Sequence, residues 1–418
     1  LKKKLRILLV WTLTSLLLQF GGYSLLNNQV RKVINPVVSS EPITLQATIP
    51  GSALNNIQIS YNKDYLAYSE NGTLKVFNLK NEKVVFEKKS PSENNRTLGV
   101  ITYQWLPDRN TLLYFYAKKN PNSVTYVTVT PSKTSLQTSI QTPTPVKQKT
   151  EDPNQKKVEE VPKVVPKEVP VRPQIEKRYG NPQITELYSL ELPNSDETTA
   201  PDDCFEKTID NFPSGGQIKD LVISTPTNLI YLTVKDGSTE LLMEINVMKS
   251  VTNLNKSGET IYNMAVSDRY GTLFIDSKVG ATRQVVALEG TKRQIISKNT
   301  NDRILGIKAG TVYIGEVENN KLLKVKTTTD LAKLTNNPSL KTEWEGSIPF
   351  DNNVRMLIGA KGQIIVCNHQ TVYIVTSGKL AEVQLHGDEN YVSDDGAELI
   401  KLSNEGNSTL IELQPLKP

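Results

Sequence analysis

From residue 43 onward the chain repeats one cadence: a short run of alternating apolar and polar residues, a turn rich in Asn, Asp or Gly, then another such run. Alternation with period two is the mark of a half-buried β-strand, and Asx/Gly turns suit the backbone conformations of tight hairpins. The clearest stretch reads Ile57–Ser60, Asp64–Tyr68, Thr73–Leu79 and Lys83–Glu87, four strands within about 31 residues. Helical periodicity is nearly absent past this point. An all-β protein made of antiparallel meanders follows.

The cadence returns at Ile101–Tyr116, Asp220–Ile245, Tyr262–Ile275, Ile304–Gly315, Val354–Val375 and Tyr391–Leu402. Seven units at spacings of roughly 35 to 50 residues match the period of propeller blades. The last unit supplies only three strands, whereas the early strand Ile43–Ile49 has no neighbours of its own. If that strand completes the last blade, the ring closes and its open edges disappear. The expected fold is therefore an all-β, about seven-bladed β-propeller, six blades whole and one closed by the N-terminal strand. The alternative is a small β domain over 43–130 and a separate one over 183–418. A single ring is preferred, because two blades alone would leave long exposed edges.

Ser60-Tyr61-Asn62-Lys63-Asp64-Tyr65-Leu66-Ala67-Tyr68 resembles the Ser-Pro-Asp-Gly-Lys turn of WD40-like and TolB-like propellers, which also occurs in the propellers of prolyl-oligopeptidase-type peptidases. Trp105–Asn110 and Ser393-Asp394-Asp395-Gly396 are similar. The resemblance covers most of residues 43–418 and implies a propeller, without the Gly-His and Trp-Asp signatures of true WD40 repeats. It implies no activity, since such propellers serve as scaffolds, binding domains and enzyme gates.

Ahead of the repeats, Ile7 to Leu26 form an uncharged, mostly apolar run long enough to cross a bilayer as one helix. Lys2, Lys3, Lys4 and Arg6 precede it and only Arg31 and Lys32 follow, a bias that keeps residues 1–6 cytoplasmic and the rest of the chain extracytoplasmic. A cleaved signal peptide shares the basic start, but the run is longer than a usual apolar signal core and no Ala-x-Ala site follows. An uncleaved anchor over 7–26 and a polar stalk over 27–42 are expected, in a cell membrane of bacterial type.

Pro131 to Pro182 breaks the cadence, passing from Ser/Thr/Gln-rich to Pro/Lys/Glu-rich sequence with the near-repeat Val-Pro-Lys. Its prolines exclude a helix or a central strand, so polyproline II or disorder is expected, looped out of blade two. Pro162, Lys163, Pro166, Lys167 and Pro170 are the candidate binding residues of this tether. The tail and the insertion also carry the positive charge. With formal net charge +5 overall, the globular part is mildly acidic and gives no support for nucleic-acid binding.

The absences narrow the function further. The sequence holds no Gly-x-Ser-x-Gly elbow, no P-loop and no His-Glu-x-x-His. His369 and His386 fall in polar turns, and two cysteines cannot make a disulfide scaffold. Cys204, in the irregular acidic stretch Asn194–Gly216, and Cys367, in an apparent buried strand, are expected to stay unpaired. Asp202-Asp203 and Asp394-Asp395 read as solvated turn acids, and Trp105 with Tyr103 and Tyr114 as a blade-core cluster. No catalytic or metal residues and no cofactor are expected. The chain reads as a non-catalytic scaffold for an envelope protein, a peptide or a cell-wall polymer. The alternative is a propeller enzyme using funnel carboxylates on glycans.

Overall fold

The computed structural model describes residues 45–416 apart from 53, 71, 93–96, 130–173, 195–198, 331–338, 352–353, 369 and 386–387, together with Ser15 and Gln19. Those two are helical, and Gln19 Nε2 donates to Ser15 Oγ at 3.3 Å. Among the described residues no helix is long and apolar enough to cross a membrane. The expected anchor (apart from these two residues), the stalk, His369, His386 and the tether residues Pro162, Lys163, Pro166, Lys167 and Pro170 lie outside the described residues.

Seven four-stranded antiparallel sheets form the wheel. Their innermost strands are Asn55–Ile59, Gly99–Trp105, Gln217–Ser224, Glu259–Val266, Asp302–Lys308, Arg355–Ile358 and Glu389–Val392. Contacts between innermost strands join blade one to two, two to three, three to four, four to five and five to six. Each sheet buries one face against the next, so the core is a set of seven apolar seams. Tyr65, Leu74, Trp105 and Tyr114 fill the seam of blades one and two; Phe274, Val285, Val312 and Ile314 fill that of four and five.

Closure is as the sequence predicts. The strand Leu45–Pro50 pairs antiparallel with Ser408–Pro415 and becomes the rim strand of blade seven. Its alternation buries Ala47 and Ile49 against Leu66, Phe77 and Ile411, which seals blade seven to blade one. The two-domain alternative is excluded.

The first turns of blades one, four and seven share the geometry behind the resemblance noted above. Ser60 N–H donates to Tyr65 O, Ser267 N–H to Thr272 O and Ser393 N–H to Glu398 O, each at 2.9 Å. The hydroxyls of these serines accept backbone N–H groups inside the same turns, and all three residues are buried. Lys63 and Gly396 occupy the same left-handed position, with φ of 62° and 70°. Glycine accepts that conformation freely, whereas lysine pays a steric cost.

Blade two corrects two expectations. Asn194–Gly216 is not irregular throughout, because Asp202–Thr208 is the rim strand of that blade. Cys204 therefore lies on a strand rather than in a loop. Its acid-rich sequence hides the alternation, since only Phe205 is a large apolar residue and it is exposed at 54%. The insertion also ends earlier than expected. Val124–Val129 pairs with Gln174–Tyr179, which falls inside the range read as structureless. The two arms make a ribbon continuing the hairpin Thr111–Lys119/Gln183–Glu191, through Asn120 N–H to Pro182 O at 2.8 Å.

The wheel has two distinct faces. Innermost strands end on the first, where Tyr391, Ile400, Leu413 and Leu45 form one register row near the edge. The chain thus enters the wheel at the first face. The ribbon leaves blade two from the opposite face, beyond Lys119 and Gln183.

Candidate functional site

A channel runs along the axis, walled by innermost strands. Strands of this kind expose one side of their pleat to the axis, and in blades one to five a register irregularity interrupts each of them. Blades six and seven have only four-residue innermost strands, without one. Beside these two short blades the channel opens into a cavity of about 390 Å3, lined among others by Gln58, Thr102, Asp220, Arg355 and Asp394. A second cavity of about 290 Å3 adjoins it at the first face, between Tyr61, Trp105, Pro107, Lys308 and Asp394. Both are bordered by Ile59, Ser393 and Asp394.

Asp394 owes its place to the turn chemistry. Ser393 is pinned within the turn, so the next side chain projects at the axis. Its neighbour Asp395 is engaged: it accepts from Ser393 Oγ at 2.6 Å and Ala397 N–H at 3.0 Å, and pairs with Lys63 at 3.1 Å. Burial pushes the Asp395 carboxyl up, but these donors outweigh it and the net pKa is lowered. Among the described residues Asp394 has no such partners, and it is exposed where it borders both cavities. Burial pushes its carboxyl up, the Asp395 charge adds to this, and Arg355 and Lys308 offset only part of the rise. Asp394 is exposed, as expected of a solvated turn acid, whereas Asp395 is engaged within the turn at the channel mouth.

The cations divide in the same way. Lys63 is shared by Asp395 and Glu398, at 3.1 and 3.2 Å. Lys219 is held by Ile261 O at 2.7 Å and Glu240 at 3.3 Å. Arg355 lies over the Tyr391 ring, 4.6 Å from its centroid, and among the described residues no carboxylate reaches it or Lys308 within 4.0 Å. Among the described residues, three charges of both signs therefore border the two adjoining cavities without an ion pair. Lys308 and Arg355 went unremarked in the sequence. Arg355 could have been flagged by its position in an otherwise apolar strand.

Other features are structural. Trp105, Tyr103 and Tyr114 are buried core residues as expected, with Trp105 Nε1 donating to Gln58 O at 3.2 Å. Tyr103, Tyr114, Tyr188 and Phe205 are successive register partners, an aromatic ladder across all four strands of blade two. Lys88 of blade one caps it, 4.1 Å from the Tyr188 centroid and 2.8 Å from Asp203. Asp203 is thus engaged, contrary to its reading as a solvated acid. A cavity of about 510 Å3 between blades five and six is lined by Tyr313, Glu343 and Trp344, and Glu343 there is paired with Lys341 at 2.9 Å. Cys204 and Cys367 are both free thiols. Among the described residues no group of three His, Cys, Asp or Glu side chains could hold a metal ion.

No protein-family model matches the chain, and no curated protein matches it in sequence. Solved structures do. The β-propeller domain of Cps50 (Swd1) from Myceliophteria thermophila is 10% identical over 88% of this chain and 98% of that one, with a TM-score of 0.46. The WD40 β-propeller domain of Doa1 is 12% identical over 88% and 95%, with a TM-score of 0.44. A prolyl endopeptidase is 12% identical over 84% of this chain and 46% of its own, with a TM-score of 0.46. The likeness is one of fold. Function has to be read from the channel itself.

Proposed function

We propose that this protein is a membrane-anchored, extracytoplasmic scaffold whose wheel binds a protein, a peptide or an envelope polymer without transforming it. The observation that carries the reading is the channel mouth at the first face, where Asp394, Arg355 and Lys308 border joined cavities without ionic partners. Charges of both signs gathered around one opening without ion pairs are available to a ligand of complementary charge. The anchor over 7–26 precedes the entry strand, so the first face would look toward the membrane. The ribbon would then carry the Pro/Lys tether, with Pro162, Lys163, Pro166, Lys167 and Pro170, away from it toward the wall.

A photo-crosslinking residue placed at Tyr61, exposed at 55% beside the mouth, tests this in intact cells. Discrete adducts that disappear in Asp394→Asn are expected, together with a protease-accessible wheel on right-side-out vesicles. Adducts equally abundant in Asp394→Asn, or none, would remove the mouth as the binding site.

The enzyme alternative has one observation in its favour. Asp220 lines the same cavity as Asp394, and burial likewise raises its carboxyl. Yet Asp220 accepts from Thr233 Oγ1 at 3.2 Å and faces Lys219 at 3.7 Å. Among the described residues lining the two cavities, Asp394 alone is an unengaged carboxylate, and a glycosidase uses a pair of carboxyl groups.

A further inference from the structure

The mouth is selective in which charges it leaves open. Of the acids and bases bordering it, Asp395 and Lys63 satisfy one another, and Lys219 is consumed by Glu240 and a backbone carbonyl. One anion, Asp394, and two cations, Arg355 and Lys308, remain. Asp394 borders both cavities, Arg355 the first and Lys308 the second, and among the described residues neither cation comes within 4.0 Å of Asp394. The Tyr391 ring pins Arg355 and helps keep it from collapsing onto Asp394. The walls beside them are apolar on one flank, at Ile59, Trp105, Leu106 and Pro107.

We propose that the mouth takes a peptide segment presenting both a cationic nitrogen and a carboxylate, the cation on Asp394 and the carboxylate toward Arg355 and Lys308. A C-terminal lysine or arginine is the simplest form of that pattern. The inference rests on the reading of the mouth as a binding site and names the ligand that fits it. Charge-assisted bonds of both signs set orientation, and the apolar flank accepts the preceding residues. The joined cavities lie within the volume range of sites for small ligands, which admits a few residues and not a folded domain.

Calorimetric titration of the full chain in detergent with acetyl-Ala-Ala-Lys tests the proposal. Three probes accompany it: the same peptide ending in norleucine, which lacks the cation; its C-terminal amide, which lacks the anion; and free lysine, which separates an amino-acid ligand from a peptide. Binding of the parent peptide is expected, with each single-charge probe at least about tenfold weaker. Asp394→Asn should erase the preference for lysine over norleucine, and Arg355→Gln with Lys308→Gln the preference for acid over amide, while melting temperatures confirm that the variants fold. Equal binding of parent, norleucine and amide peptides overturns the proposal, as does no binding by any of them. Free lysine binding as tightly as the peptide overturns the peptide assignment. If the peptides fail while the Tyr61 crosslink in cells still depends on Asp394, the ligand class is wrong and the binding mouth stands.

Discussion

Gln46 Nε2 donates a hydrogen bond to Glu412 Oε1 at 3.0 Å, across 366 residues of sequence. This contact belongs to the strand pairing that turns an open row of blades into a ring. Ile49, fully buried on the same strand, packs into the seam of blades seven and one. Ile49→Ala should cost about 2–5 kcal/mol in equilibrium urea unfolding, the range for truncating a core aliphatic residue. Removal of the strand through Pro50 should leave residues 408–415 as an open edge and give concentration-dependent oligomers by light scattering. A monomer of unchanged stability would contradict closure.

Glu259 and Arg293 predict a large effect from one substitution. The Glu259 side chain is wholly buried, and Arg293 Nη1 and Nη2 bond its two oxygens at 2.7 Å each. Arg293→Ala strands that carboxylate and should cost about 3–5 kcal/mol at neutral pH. Burial pushes the Glu259 carboxyl up, but Arg293, Lys256 N–H and Ser277 outweigh it and the folded pKa lies below 4.5. Its stabilisation is therefore complete above 4.5 and is lost as pH falls through the depressed value. In Arg293→Ala only Lys256 N–H and Ser277 oppose burial, so the gap to wild type should narrow in acid. A gap that widens there would refute the assignment.

Asp394→Asn should behave in the opposite sense. A carboxyl whose folded pKa is raised destabilises the native state once pH exceeds that value, and the penalty vanishes below the ordinary value of 3.8. The variant should melt at the same temperature as wild type or higher at neutral pH, with the difference closing as pH drops through the carboxylate range. A loss of stability at neutral pH would mean that Asp394 is a structural charge and not one kept open for a ligand.

The two thiols should separate kinetically. Cys204 is exposed on the rim of blade two, whereas Cys367 is 6% exposed and burial pushes its thiol up. A maleimide should modify one thiol promptly in the native protein and the second only in denaturant. Prompt reaction of both would place Cys367 at the surface.

The legible part of this protein was its alternation. Strands such as Thr73–Asn78, which open on alternating burial and have an Asx or Gly turn at each end, carry their own assignment, and the unpaired strand near residue 45 pointed to its partner through the edge it would otherwise leave open. Asp202–Thr208 was illegible because a rim strand outside the core needs little apolar pattern. Gln174–Tyr179 was masked by the prolines before it. The channel mouth was harder still. Asp394, Arg355 and Lys308 come from three different blades, and whether an acid in a turn meets bulk water or an axis depends on which end of which strand the turn closes.

The polypeptide joins the wheel at Leu45, and from there the closing strand crosses blade seven to Pro50 with every residue in register against 408–415. Ladder hydrogen bonds lie perpendicular to such a strand. Tension transmitted through the preceding chain would therefore act along the joint, as on a lap seam, loading all six pairs at once and peeling none from its end. The point of attachment is thus also the point where the ring best resists being pulled open.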